Sequence, residues 1–288
     1  MSPLEHQATE SEVFQKNIIA IPGTQNTPFH WETFRDESAK LGVGVHPITA
    51  PGRSAGPKFS QNYDPGFAEF RDAIWLSIEE KLKDLNQKPV LAGHSLGGLF
   101  VQYFLADSKK ARLFEAGLLL APTTPPGLPG PSKEFLADNK WPALKLFFSR
   151  ALGSHEPVAM HPDIVRKYLF GENSGIPKER IDELIAQRVP ESRQLLIDLM
   201  AVRSKLFRFL SRQKIEKIAL EKIKIPVHIF SGKKDQVTPP EGACAIKNAI
   251  GGNTNCKILA NEKHGLIESR AVIREVLAKL FPELSVEI

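Results

Sequence analysis

Gly93-His94-Ser95-Leu96-Gly97 constrains this chain more than any other stretch. It follows the apolar run Pro89-Val90-Leu91-Ala92 and precedes Leu96 to Ala106, whose composition suits a helix. A strand that turns sharply into a helix leaves its turn residue in strained backbone geometry, and glycines two before and two after keep the flanking backbone clear. The serine Oγ is thereby pushed out of the fold. Five residues of this kind carry weight only in context: a strand before, a helix after, and a carboxylate and then a histidine at the ends of later strands.

All of these are present. Ile223 to Phe230 is β-branched and aromatic, reads as a buried strand, and runs into Ser231-Gly232-Lys233-Lys234-Asp235, which sets Asp235 at the mouth of a strand. Gly242 to Ile250 has helical character, and Cys256-Lys257-Ile258-Leu259-Ala260 is a short apolar strand. His264 follows immediately before an amphipathic helix, Glu268 to Phe281. The order serine, acid, histidine belongs to one particular architecture.

On these residues the chain resembles the α/β-hydrolase family from about Asn17 to Phe281. Ser95 matches the family's nucleophile, Asp235 its acid after the seventh strand and His264 its general base after the eighth. Asn17 to Thr24 matches the strand and turn that usually read His-Gly followed by a small residue, Trp31 the tryptophan that often opens the first helix, and Ala50 to Gly56 the family's Gly-rich loop. The usual histidine before Gly23 is Pro22 here, but the N–H of Thr24 remains available. The resemblance implies an oxyanion hole from the backbone N–H groups of Thr24 and Leu96. Only the polar Met1 to Lys16 precedes the first apolar strand, so a sheet lacking one or both of the family's first two strands is expected.

The implied fold is α/β: a mostly parallel sheet flanked by helices, with a helical cap inserted after the sixth strand. Five prolines between Pro122 and Pro131 interrupt the chain after Ala121, and helices are expected over Ser132–Asn139, Pro142–Leu152, Pro162–Phe170, Pro177–Arg188 and Pro190 to about Arg212. The expected organisation is a polar segment 1–16, a core of 17–121 and 222–288, and a cap of 122–221. Apolar side chains crowd the cap, among them Phe135, Leu136, Trp141, Leu146, Phe148, Leu152 and Leu169, and favour a greasy pocket. Nine Lys or Arg against three Asp or Glu from Arg193 to Lys224 read as a solvated basic helix face, or else as attraction to an anionic substrate or membrane surface.

The other histidines receive no catalytic role: His94 packs beneath the turn, His30 and His46 are pocket or strand-end residues, and His155 and His161 are solvated loop residues without metal-ligand spacing. Thirty-eight basic and thirty-three acidic side chains, a net +5, are too nearly balanced to imply nucleic acid. Two cysteines make no disulfide framework, and no secretory or membrane-spanning pattern is read, so a cytoplasmic location is expected. The expectation is a serine hydrolase that cleaves a carboxylic ester of a moderately large apolar acyl or aryl group, a small-molecule substrate, without metal or organic cofactor. A thioesterase, lysophospholipase, carbon–carbon bond hydrolase or peroxide-forming enzyme would use the same residues, and a receptor-like protein of this fold would bind without turnover.

Overall fold

The computed structural model describes residues 14–53, 64–171 and 175–287. The polar segment before residue 14, the end of the expected Gly-rich loop (54–56) and the side chain of Trp141 lie outside that description.

Among the described residues, six strands form one parallel sheet: β1 (Lys16–Ile21), β2 (Val43–Pro47), β3 (Val90–His94), β4 (Gly117–Leu120), β5 (Val227–Gly232) and β6 (Thr254–Leu259), in the order β2-β1-β3-β4-β5-β6. Strands covered on both faces must be apolar on both faces, and Ile18 to Ile21 of β1 and Val90 to Ala92 of β3 are unbroken apolar runs for that reason. Alternate residues of β1 serve opposite layers. Ile19 and Ile21 join Leu91, Leu119 and Ile229 in one core, while Ile18 and Ala20 join Val90, Leu118 and Leu120 in the other.

The first core is closed by α2 (Phe67–Lys83), α3 (Leu96–Ala106) with its short extension α4 (Ser108–Ala111), and α10 (Pro240–Ile250); the second by α1 (Glu32–Ala39) and α11 (Arg270–Leu280). Phe70, Ile74 and Ile78 recur at helical spacing along one face of α2, and Val272, Ile273, Val276 and Leu277 do the same on α11. Each such fully buried side chain contributes roughly 1.5–3 kcal/mol.

Between β4 and β5 the chain leaves the sheet to form α5 (Lys133–Asp138), α6 (Lys140–Ala151), α7 (Pro162–Val165), α8 (Lys178–Ala186) and α9 (Arg193–Ala201). α6 and α9 pack on a separate cluster of Leu146, Ile197, Ala201 and Phe207. The expected single helix from Pro190 to Arg212 is instead α9 followed by a 3-10 turn over Leu206–Phe209. The buried Asp198 carboxylate on α9 accepts bonds from Ser211 Oγ and Arg212 N, and Gln194 donates to Leu210 O, so the chain folds back on α9 rather than extending it. The apolar run Ile223 to Phe230 also becomes strand only from Val227, after a 3-10 turn at Leu220–Lys222. Pro226, without an N–H, marks that boundary.

The carboxyl ends of all six strands open on one side of the sheet. The strand order reverses between β1 and β3, and ligands of open α/β sheets lie at such a switch point. Thr24 follows β1 and Ser95 follows β3.

Candidate active site

Ser95 joins β3 to α3 at φ 54° and ψ −119°, a left-handed conformation costly for any residue with a Cβ. Backbone bonds hold it there. Its N–H donates to Leu120 O at 3.0 Å, and its carbonyl accepts from Gly98 N and Thr123 N, both at 2.9 Å. A Cβ at Gly97 would stand 2.2 Å from Ile21 O and one at Gly93 2.4 Å from Gly97 C, so both positions require glycine for close approach. Leu96 N–H belongs to the first turn of α3, where backbone donors have no partner within the helix.

Asp235 follows β5 and is almost fully buried. Val237 N and Thr238 N donate to its Oδ1 at 2.8 and 2.9 Å. On the other oxygen, Oδ2 faces Thr238 Oγ1 and His264 Nδ1, both at 2.8 Å. A proton on Nδ1 directed at the carboxylate leaves the lone pair of His264 on Nε2. The loop bearing His264 is strapped to the insert: Gly265 N donates to Leu169 O at 2.8 Å and Lys263 Nζ to Lys167 O at 2.9 Å.

His94 lies under the turn, where its Nε2 donates to His264 O at 2.8 Å and the two rings are 4.9 Å apart. Burial, helped by the neighbouring His264 and then by Arg188, lowers its pKa to about 3, so it is a neutral strut at ordinary pH. Burial does the same to His30, whose ring spans Thr27 N and Leu184 O.

The loop after β1 is held chiefly by side chains. Gln25, at φ 63°, donates through Nε2 to Val158 O at 2.6 Å and accepts from Met160 N at 3.2 Å. Fully buried Arg53 donates to Gly23 O and pairs with the buried Glu191. Arg188 reaches the same loop, donating to Asn26 Oδ1 at 2.7 Å, Thr24 O at 2.9 Å and Gln25 Oε1 at 3.3 Å.

Ser95, His264, Thr24 and Leu96 open onto one cavity of about 1220 Å³. Its far wall is the insert, with Phe135, Leu136, Leu146 and Leu169 joined by Leu196, Leu199 and Met200 of α9. Phe148 and Leu152 instead face outward, at 60% and 88% exposure. The structure thus brings Ser95, Asp235, His264, Thr24 and Leu96 together. His155 and His161 remain largely exposed, but Asp64 approaches His155 to 3.1 Å across a sequence gap that hides it. Half-buried His46 meets Asn17. Among the described residues no cluster of His, Cys, Asp or Glu could hold a metal ion, and no helix is long and apolar enough to cross a membrane.

The basic stretch from Arg193 is not wholly a solvated face. Arg193 and Arg203 turn inward, line the cavity and donate to carbonyl and hydroxyl oxygens of the insert and of the loop after β4. Sequence reasoning missed Arg53, Arg188, Glu191 and Thr238. The first three carry little local signal, because Glu191 pairs with Arg53 from 138 residues away and Arg188 reaches Thr24 across 164; Thr238 follows the acid by three, the spacing of a side chain that returns to its own loop.

Residues 18–273 match the model of the alpha/beta hydrolase family, and the chain belongs to that family. Its fold is shared with a soluble variant of monoglyceride lipase from Saccharomyces cerevisiae (15% identity, TM-score 0.68, covering 96% of this chain and 88% of that one) and with a monoacylglycerol lipase from Paleococcus ferrophilus (18%, 0.63, 94% and 95%). A bromoperoxidase from Bacillus anthracis is similar to the same degree (17%, 0.66, 93% and 92%). No curated protein matches the sequence.

Proposed function

We propose that this protein is a serine hydrolase cleaving a carboxylic ester through an acyl-enzyme on Ser95. The carrying observation is the pair His264 Nδ1 to Asp235 Oδ2 at 2.8 Å, opening on the same cavity as a serine held in a strained turn. A serine hydroxyl is a weak nucleophile at neutral pH, so His264 Nε2 takes its proton as Oγ attacks the ester carbonyl. Asp235 fixes the tautomer and stabilises the imidazolium as it forms. The developing oxyanion accepts from Thr24 N–H and Leu96 N–H, and loss of one such donor typically costs about a hundredfold or more in rate. His264 returns the proton to the departing alkoxide, and a water activated by the same nitrogen then releases the acid.

In this reading the insert 122–221 acts as a cap, and its apolar wall favours an acyl or aryl group of moderate size over a sugar. Lipase neighbours agree with a lipid-like ester, while the presence of a bromoperoxidase among the neighbours means that this fold alone does not fix the reaction. The test is a small fluorophosphonate incubated with wild type and Ser95→Ala and followed by intact mass. One adduct on wild type and none on the variant is expected. Equal labelling of both, or of neither, defeats the assignment, and labelling of neither favours a binding protein without turnover.

A further inference from the structure

Two guanidinium groups and a single carboxylate are packed beside the loop after β1. Glu191 is engaged by Arg53 and by the N–H groups of Gln25 and Ser192. Arg188, the second cation, meets only neutral oxygens: Asn26 Oδ1, Thr24 O and Gln25 Oε1. Those bonds occupy three of its five N–H donors, and its Nε is buried with no hydrogen-bond partner. The cluster therefore carries one uncompensated positive charge in a poorly solvated place. Burial pulls the Arg188 pKa down to about 10, with Arg53 depressing it further and Glu191 opposing the shift.

Arg188 also lines the cavity, at the end where chemistry would occur. It donates to the carbonyl of Thr24, one residue unit from the N–H assigned to the oxyanion hole. Around the rest of the wall Lys145, Arg193 and Arg203 stand against one carboxylate, Glu156.

Resting on the ester-hydrolase reading, we infer that Arg188 is a specificity residue that recognises a carboxylate carried by the substrate within a few bonds of the scissile carbonyl. One missing negative charge matches a monoanion better than a phosphate dianion, and the planar guanidinium suits a carboxylate. The natural ester on this reading is amphiphilic: an apolar body against the wall of α9 and an acid group beside the hole.

The experiment compares kcat/KM for 4-nitrophenyl hexanoate, 4-nitrophenyl hydrogen adipate and 4-carboxyphenyl hexanoate, which are neutral, acid on the acyl side and acid on the alcohol side. Wild type, Arg188→Gln and Arg188→Lys are each assayed, with fluorophosphonate labelling and melting temperature recorded alongside. Wild type is expected to prefer one of the two acid esters. Arg188→Gln should lower that ester's kcat/KM about tenfold to a hundredfold more than it lowers the hexanoate, mainly through KM, and Arg188→Lys should restore part of the preference. Wild type with no preference for either acid ester overturns the inference. So does an Arg188→Gln loss that is equal for all three esters, the result of a side chain that only steadies the Thr24 loop. In both cases labelling and hexanoate turnover would leave the ester reading intact. No adduct and no turnover of any ester brings down that reading and this inference together. Inhibition by phenyl phosphate stronger than by benzoate, lost in Arg188→Gln, would assign the site to phosphate instead.

Discussion

The elbow at the end of β3 and the helical insert both hold polar groups still, by opposite means. Ser95 is fixed by its own backbone: N–H and carbonyl are both bonded, and glycines let neighbouring strands and helix approach within contact. Across the cavity, Arg188, Arg193, Glu191 and Asp198 are fixed by side chains that reach partners as far as 166 residues away in sequence. Backbone-held geometry tolerates little variation, because each change alters the path of the chain. Side-chain-held geometry can be rewritten one residue at a time, which suits the substrate-selecting role proposed for that wall. On the proposed reading, the reaction and its specificity are thus built from materials of different stiffness.

The largest expected effect falls on the stiff side. Ser95→Ala and His264→Ala should each cut kcat by about a thousandfold or more; Ser95→Ala should leave stability nearly unchanged, whereas His264→Ala removes a buried ring that bonds the Asp235 carboxylate and should cost about 1–3 kcal/mol. Ester turnover beside a urea titration would check both halves of that statement. If His264→Ala kept more than a tenth of the rate, the acid–base role would be elsewhere.

Next in size is the joint between the two regions. Glu191→Ala leaves Arg53 buried without its partner and should cost about 3–5 kcal/mol, whereas replacing both by apolar residues of similar volume should cost far less. A double-mutant cycle by denaturant unfolding measures the difference. Additive losses would mean that the ion pair is not what binds the loop after β1 to the insert.

Acid should strain the same joint. The pKa values of His30 and His94 are lowered to about 3 by burial, so the folded state keeps them neutral while the unfolded chain protonates them near 6.5. Between those limits the unfolded state binds more protons. Their contribution is fully present above about pH 6.5 and is lost as pH falls toward 3, at about 1.4 kcal/mol per unit for each ring. Melting temperature across pH 4 to 7 should therefore fall on the acid side, and His94→Gln should flatten part of that slope.

A smaller effect separates positioning from chemistry. Thr238 Oγ1 lies 2.8 Å from Asp235 Oδ2 and 3.0 Å from Ala121 O, so Thr238→Val removes a support of the acid without touching Ser95. About a tenfold fall in kcat at nearly constant KM is expected, against little change for a merely structural threonine.

The same contrast explains what the sequence disclosed. Gly93, Gly97 and the strand-turn-helix pattern announced the elbow because backbone constraints select residue types locally. Asp235 and His264 were legible by their order at strand ends, and the parallel sheet by its unbroken apolar runs. α9 was overextended, since Leu206, Phe207 and Leu210 continue the helical spacing and only the capture of Ser211 and Arg212 by Asp198 turns the chain. Arg188 and Glu191 were invisible for a related reason: a charge in a polar stretch looks solvated until the fold supplies a partner from the loops after β1 and β2.

The smallest expected effect tests whether the outer face of the insert belongs to the soft wall or merely covers it. Phe209 ends the 3-10 turn after α9 at 88% exposure, while Phe207 two residues earlier is buried against Phe147 at 5.6 Å between ring centroids. Phe207→Ala should cost about 3–5 kcal/mol by opening a cavity between α6 and α9, and Phe209→Ser should stay within about 0.5 kcal/mol of wild type. The pair differs only in which way a short turn points each ring. If Phe209→Ser proved as costly as Phe207→Ala, the ring would have to be covered in solution, and the outward face of the insert would be an interface rather than a free surface. If it proved neutral to stability but slowed turnover of a long-chain ester more than of a short one, the exposed ring would belong to the route by which apolar substrate reaches the cavity.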